Sequence, residues 1–71
     1  MDLREFTIHE LNKLIFENDD REIINKDGYY LFKDGKLLFK EHYWNEYDVV
    51  DFSKLETDDL IEILEKLEKI N

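Results

Sequence analysis

Asp34-Gly35 sits between two apolar-rich runs, Tyr29–Lys33 and Lys36–Trp44. No other dipeptide in the chain constrains the fold as strongly. A two-residue turn of this kind needs positive φ at both central positions, which Asp and Gly tolerate, and its twist matches that of paired strands. It also fixes the register. Phe32 then opposes Leu37 and Tyr30 opposes Phe39 on one face, while Leu31 opposes Leu38 and Tyr29 opposes Lys40 on the other. Both faces are partly apolar. One is expected to pack on helices. The other, with Tyr29, Leu31, Leu38 and Trp44, needs a second cover or a partner.

The flanking segments extend this pattern. Arg21 to Asn25 reads as a short strand followed by a turn at Asp27-Gly28, and Tyr47 to Phe52 as a last strand after a turn at Asn45-Glu46. Thr7-Ile8-His9-Glu10 matches a capping box, with Phe6 and Leu11 at the staple positions. Ile8, Leu11, Leu14 and Ile15 follow at helical spacing, and Asn18-Asp19-Asp20 ends the helix. No breaker separates residues 2 to 7, so a start near Asp2 is the alternative.

The C-terminal segment carries a clear helical stripe of Leu60, Ile63, Leu64, Leu67 and Ile70, with Ile61 off the stripe. Glu62 to Lys66 and Glu65 to Lys69 are favourable pairs one turn apart. Ser53, Glu56 and Thr57 are rival N-caps. The expected fold is a single α+β domain over 1–71: a small antiparallel sheet of three to four strands around the Asp34-Gly35 hairpin, flanked by an N-terminal and a C-terminal helix.

Composition narrows the chemistry. The chain has 71 residues and no Cys, which excludes a disulfide framework and thiolate metal sites. Asn25-Lys26-Asp27-Gly28-Tyr29 looks like part of a calcium loop. In that frame Ile23 falls where a carboxylate must bind, and Asp34 is too short for the bidentate glutamate. His9 and His42 are far apart, the first expected on the solvent side of the helix and the second on a strand surface. Ser53, the only serine, reads as a cap. The two glycines each follow an Asp in a turn, so no phosphate-binding loop is present. No catalytic, metal or cofactor site is expected, and the chain does not read as an enzyme. Its apolar runs are far shorter than a membrane span needs. A cytoplasmic location is the expectation, in a bacterial cell or a phage-infected host. Lys outnumbers Arg eight to two, and Ala and Pro are missing, which fits an AT-rich genome, a phage or another mobile element.

Charge is the remaining signal. The formal net charge is −9. Residues 41–62 carry eight acids and one base, whereas residues 23–40 carry two acids and four bases. The acidity is therefore localised after a mildly basic hairpin. Within the acidic stretch lie Glu41, Glu46, Asp48, Asp51, Asp58, Asp59 and Glu62, interleaved with Tyr43, Trp44 and Tyr47. Tyr and Trp dominate binding hot spots because they bury large area with few rotatable bonds. Carboxylates three or four apart on a helix are spaced about 5–6 Å, the same order as phosphates along a DNA strand.

These residues are the candidate partner-binding set. The expected role is an inhibitor or regulator that presents a DNA-mimic-like carboxylate surface to a basic nucleic-acid-binding protein. An immunity protein, an antitoxin, another acidic regulator or a homo-oligomeric structural protein is the alternative, with a homodimer through the second sheet face or an edge strand. Direct nucleic-acid binding is disfavoured, because Lys26, Lys33, Lys36 and Lys40 form the only basic group on a chain of net −9. In size and charge the chain is similar to small acidic phage proteins that block host DNA-binding enzymes, a likeness of composition that covers no specific residues.

Overall fold

The computed structural model describes residues 1–69. Helix α1 spans Leu3–Glu17 and is followed by four strands, β1 Glu22–Asn25, β2 Gly28–Lys33, β3 Lys36–Lys40 and β4 Asp48–Val49. A single 3-10 turn, Phe52–Lys54, leads to helix α2, Thr57–Glu68. The strands form one antiparallel sheet in chain order, β1-β2-β3-β4. The fold is thus α+β, with terminal helices around a four-stranded sheet.

The central hairpin has the register set by its turn. Phe32 pairs with Leu37, Tyr30 with Phe39, Leu31 with Leu38 and Tyr29 with Lys40. Asp34 and Gly35 adopt φ of 54° and 74°, as the turn requires. At the preceding turn Asn25 Oδ1 accepts from the amides of Asp27 and Gly28, a side chain standing in for a backbone turn bond.

The start of α1 is corrected. Asp2 is the N-cap and its Oδ1 accepts from Glu5 N at 2.8 Å. Thr7 lies inside the helix, 1% exposed, and its hydroxyl donates to Leu3 O at 2.7 Å. A Thr that can return its hydroxyl proton to the preceding turn has no need to cap. The extra turn also carries Arg4 to Phe52 O, to which it donates at 2.9 Å.

Two strands are shorter than the sequence suggests. β3 stops at Lys40, because the chain turns at Glu41, where Trp44 N donates to Glu41 O at 3.0 Å. His42 therefore sits in a turn beyond the strand. The last strand is only Asp48–Val49, continued by one bond from Val50 N to Leu37 O. Phe52 leaves it for the 3-10 turn and packs partly buried against the core. The N-cap of α2 is Glu56, without a side-chain bond, and Ser53 caps no α-helix. Ile70 of the predicted stripe lies outside the described residues.

One face of the sheet meets the helices. Leu11, Ile15, Ile23, Tyr30, Phe32, Leu37, Leu60 and Leu67 form the buried cluster, with Ile8, Leu14, Phe39, Val50, Leu55, Ile63 and Leu64 packed around it. Tyr30 and Phe39 are in ring contact, with centroids 4.8 Å apart. Arg4 lies beside Glu56, Thr57 and Asp58 at the start of α2, and Leu14 and Glu17 lie beside Leu64 and Glu68 further along. The helices run side by side in the same direction. Lys66 of α2 spans to the β1–β2 turn, with Nζ 2.6 Å from Asp27 Oδ2 and 3.2 Å from Glu62 Oε1.

Candidate protein-binding surface

The ten candidate residues divide into groups. Glu41, Tyr43, Trp44, Glu46 and Asp48 gather at the end of the sheet where β3 stops. Glu41, Trp44 and Asp48 line a shallow depression with Phe39 at its floor. Tyr43, Trp44, Asn45 and Glu46 line a second depression beside it. Trp44 belongs to both and joins them.

The exposure of the aromatics is the informative quantity. Tyr43 is 98% exposed and Trp44 60%. Neither has a place in the core; Phe16 on α1, 83% exposed, is likewise turned outward. Both project from the β3–β4 loop among the carboxylates of Glu41, Glu46 and Asp48, which are also exposed.

The other acids have local partners or stand apart on α2. Asp51 Oδ1 accepts from Ser53 N at 3.0 Å and from Ser53 Oγ at 2.7 Å, capping the 3-10 turn. The Ser53 hydroxyl and amide hold the Asp51 carboxyl below its ordinary range, so it stays ionised. Asp58 and Asp59 are exposed in the first turn of α2, where the helix dipole favours anions. Glu62, next along the helix, is drawn to Lys66.

Tyr47 has a different role from Tyr43 and Trp44. It lies on the outer sheet face, away from the helices, and its hydroxyl donates to Glu22 Oε2 on β1. Lys40 Nζ sits 4.6 Å from the Tyr29 ring centroid and 5.0 Å from that of Tyr47, a cation held between two rings. His42 meets Tyr29 edge-on, with centroids 5.2 Å apart. Its Nε2 lies 2.8 Å from Asn25 O. A carbonyl has no proton, so Nε2 donates. Tyr47, Lys40 and His42 thus supply part of the cover the outer face needed, leaving Ile24 and Val49 exposed on it. Burial, then the Glu22 acceptor and its charge, push the Tyr47 phenol up to about 12.

The hydrogen bonds of Glu22 and His42 carry no sequence pattern, because their partners Tyr47 and Asn25 lie far along the chain, whereas Lys40 beside Tyr29 follows from the hairpin register. Among the described residues no group of His, Asp and Glu is arranged to hold a metal ion, and no helix is long and apolar enough to cross a membrane. No protein-family model matches the chain, and no curated protein or solved structure matches it either.

Proposed function

We propose that this protein is a small acidic binding protein that inhibits or regulates a basic, nucleic-acid-binding partner, with the β3–β4 loop as its point of contact. The observation that carries the reading is the pairing of Tyr43 and Trp44, both exposed, with the exposed carboxylates of Glu41, Glu46 and Asp48. Aromatic anchors ringed by charge fit an interface in which burial supplies the affinity and charge supplies orientation and speed. The sign of the charge favours a cationic partner. A net of −9 steers the chain toward cationic surfaces and away from nucleic acid itself.

Asp58, Asp59 and Glu62 extend the acidic surface along α2 in this reading, and the carboxylates stand in for phosphates in a groove built for DNA or RNA. Asp51 contributes charge while its hydrogen bonds hold the adjoining turn. The test is capture from a lysate at low salt, elution by salt, and competition of the eluted partner with duplex DNA. Binding is expected to weaken steeply with salt and to exclude DNA. A complex that survives 1 M salt and leaves DNA binding intact overturns the mimic reading.

A further inference from the structure

We infer that residues 43–46 form a pre-organised recognition loop, clamped at both ends to the far edge of the sheet by His42 and Tyr47. The loop joins β3 to β4, yet both clamps reach β1, which β2 separates from β3. At the start of the loop, His42 Nε2 donates to Asn25 O, the last residue of β1. At its end, the Tyr47 hydroxyl donates to Glu22, the first residue of β1. Trp44 N also donates to Glu41 O, closing a turn around His42. A four-residue segment with an almost wholly exposed Tyr43 has little packing of its own to hold it. Its order must come from its ends.

The chemistry of the clamps suits this task. Each crosses the outer face at an aromatic contact, His42 on Tyr29 and Tyr47 on Lys40, so ring and hydrogen bond fix direction together. An acceptor carboxylate makes the Tyr47 bond one of the stronger neutral-to-charged kind. Holding the backbone that carries Tyr43 and Trp44 before contact removes the loop-ordering part of the cost of binding. His42 and Tyr47 are thus positioning residues: they act on a partner through the loop. This role in recognition rests on the function proposed above, whereas the clamp can be tested without any partner.

The experiment is backbone relaxation by NMR on the full chain, with Tyr47→Phe, Glu22→Ala and Glu22→Gln. Order parameters at 43–46 are expected near about 0.85 in the parent protein and below about 0.6 in Tyr47→Phe and Glu22→Ala. Glu22→Gln keeps an acceptor oxygen and should preserve the ordered loop. Unchanged loop order in Tyr47→Phe overturns the clamp, as does loosening spread evenly through the sheet. In complex with a basic protein captured at low salt, Tyr47→Phe should raise the dissociation rate about tenfold, with the salt slope unaltered. An unaltered dissociation rate with a loosened loop overturns the positioning role and leaves the acidic-surface reading standing. If no basic protein is captured, that reading fails and the relaxation data still decide the clamp.

Discussion

Gly28 and Lys40 approach each other so closely that a Cβ on Gly28 would lie 2.2 Å from the Lys40 carbonyl oxygen. Gly28 also has φ of 151°, where L side chains are strained. The obstacle is backbone, where β3 ends beside the start of β2, and it cannot swing away. Gly28→Ala is expected to cost about 2–4 kcal/mol, a large share of the stability of so small a domain. Gly35 has φ of 74° with open space around it, so Gly35→Ala should cost only about 1–2 kcal/mol. Urea midpoints of the two variants check the ranking.

Asp2, rather than Thr7, starts the first helix. Asp2→Ala should lose about 1 kcal/mol through the orphaned amide of Glu5. Thr7→Val keeps the buried volume and gives up one hydroxyl bond, at about 0.5–1.5 kcal/mol. The variants differ in a second way. Asp2→Ala should fray only the first turn, seen as faster amide exchange at residues 3–6, and Thr7→Val should leave those amides unchanged.

Lys66 donates to Asp27 and holds its carboxyl below the ordinary 3.8. The unfolded chain therefore takes up a proton at higher pH than the folded one. The stability from this pair is complete above the unfolded value and is lost as pH falls through the folded one. Asp27, with Glu62, raises Lys66 above 10.5, so that contribution is lost at high pH as the lysine deprotonates. Asp27→Ala should lower the urea midpoint at pH 7 and flatten the acid limb below about pH 4. A limb as steep as that of the parent would assign acid unfolding to other carboxyls.

Tyr47 should appear in an ultraviolet phenolate titration as a step near pH 12, absent in Tyr47→Phe. Its folded value lies above the ordinary 10, so the neutral phenol is favoured in the fold. Its contribution is complete below pH 10 and is lost as pH rises from there through about 12.

Trp44→Ala and Tyr43→Ala remove side chains that the core does not use, and both should change stability by less than about 0.5 kcal/mol. On the function proposed above, their effect is expected in binding, with a loss of about 2 kcal/mol or more for an aromatic anchor. Calorimetry with a basic partner, set beside urea unfolding of the free chain, separates the two quantities.

The features legible in sequence are those that local rules determine. Asp34-Gly35 specified the pairing of Phe32 with Leu37 because a two-residue loop allows one register. Leu60, Ile63, Leu64 and Leu67 marked α2 because one face had to be apolar. Thr7 misled because a capping box and a mid-helix Thr share the same four residues, and the difference lies in whether the preceding turn is helical. β3 was read too long because Tyr43 and Trp44 have strand propensity, while the chain had to reverse at Glu41 for β4 to pair. In the candidate surface the acidic segment was legible as composition. The division of labour within it was not: Asp51 caps a turn, Tyr47 spans the sheet to Glu22, and of the three candidate aromatics Tyr43 and Trp44 are left outward. Those assignments depend on contacts between distant residues.

The strand order β1-β2-β3-β4 follows the chain without a crossover, and this bears on how the protein folds in time. Each strand pair closes a short loop, so the sheet assembles from neighbours at small entropic cost. The docking of the two terminal helices on each other and on the sheet joins the distant parts of the chain. Local pairing of this kind favours formation of the hairpin ahead of helix docking. It also makes substitutions in the hairpin, such as Gly28→Ala, slow folding, and substitutions at Leu60 or Leu67 chiefly speed unfolding. A stopped-flow chevron for one variant of each kind would show which half of the molecule forms first.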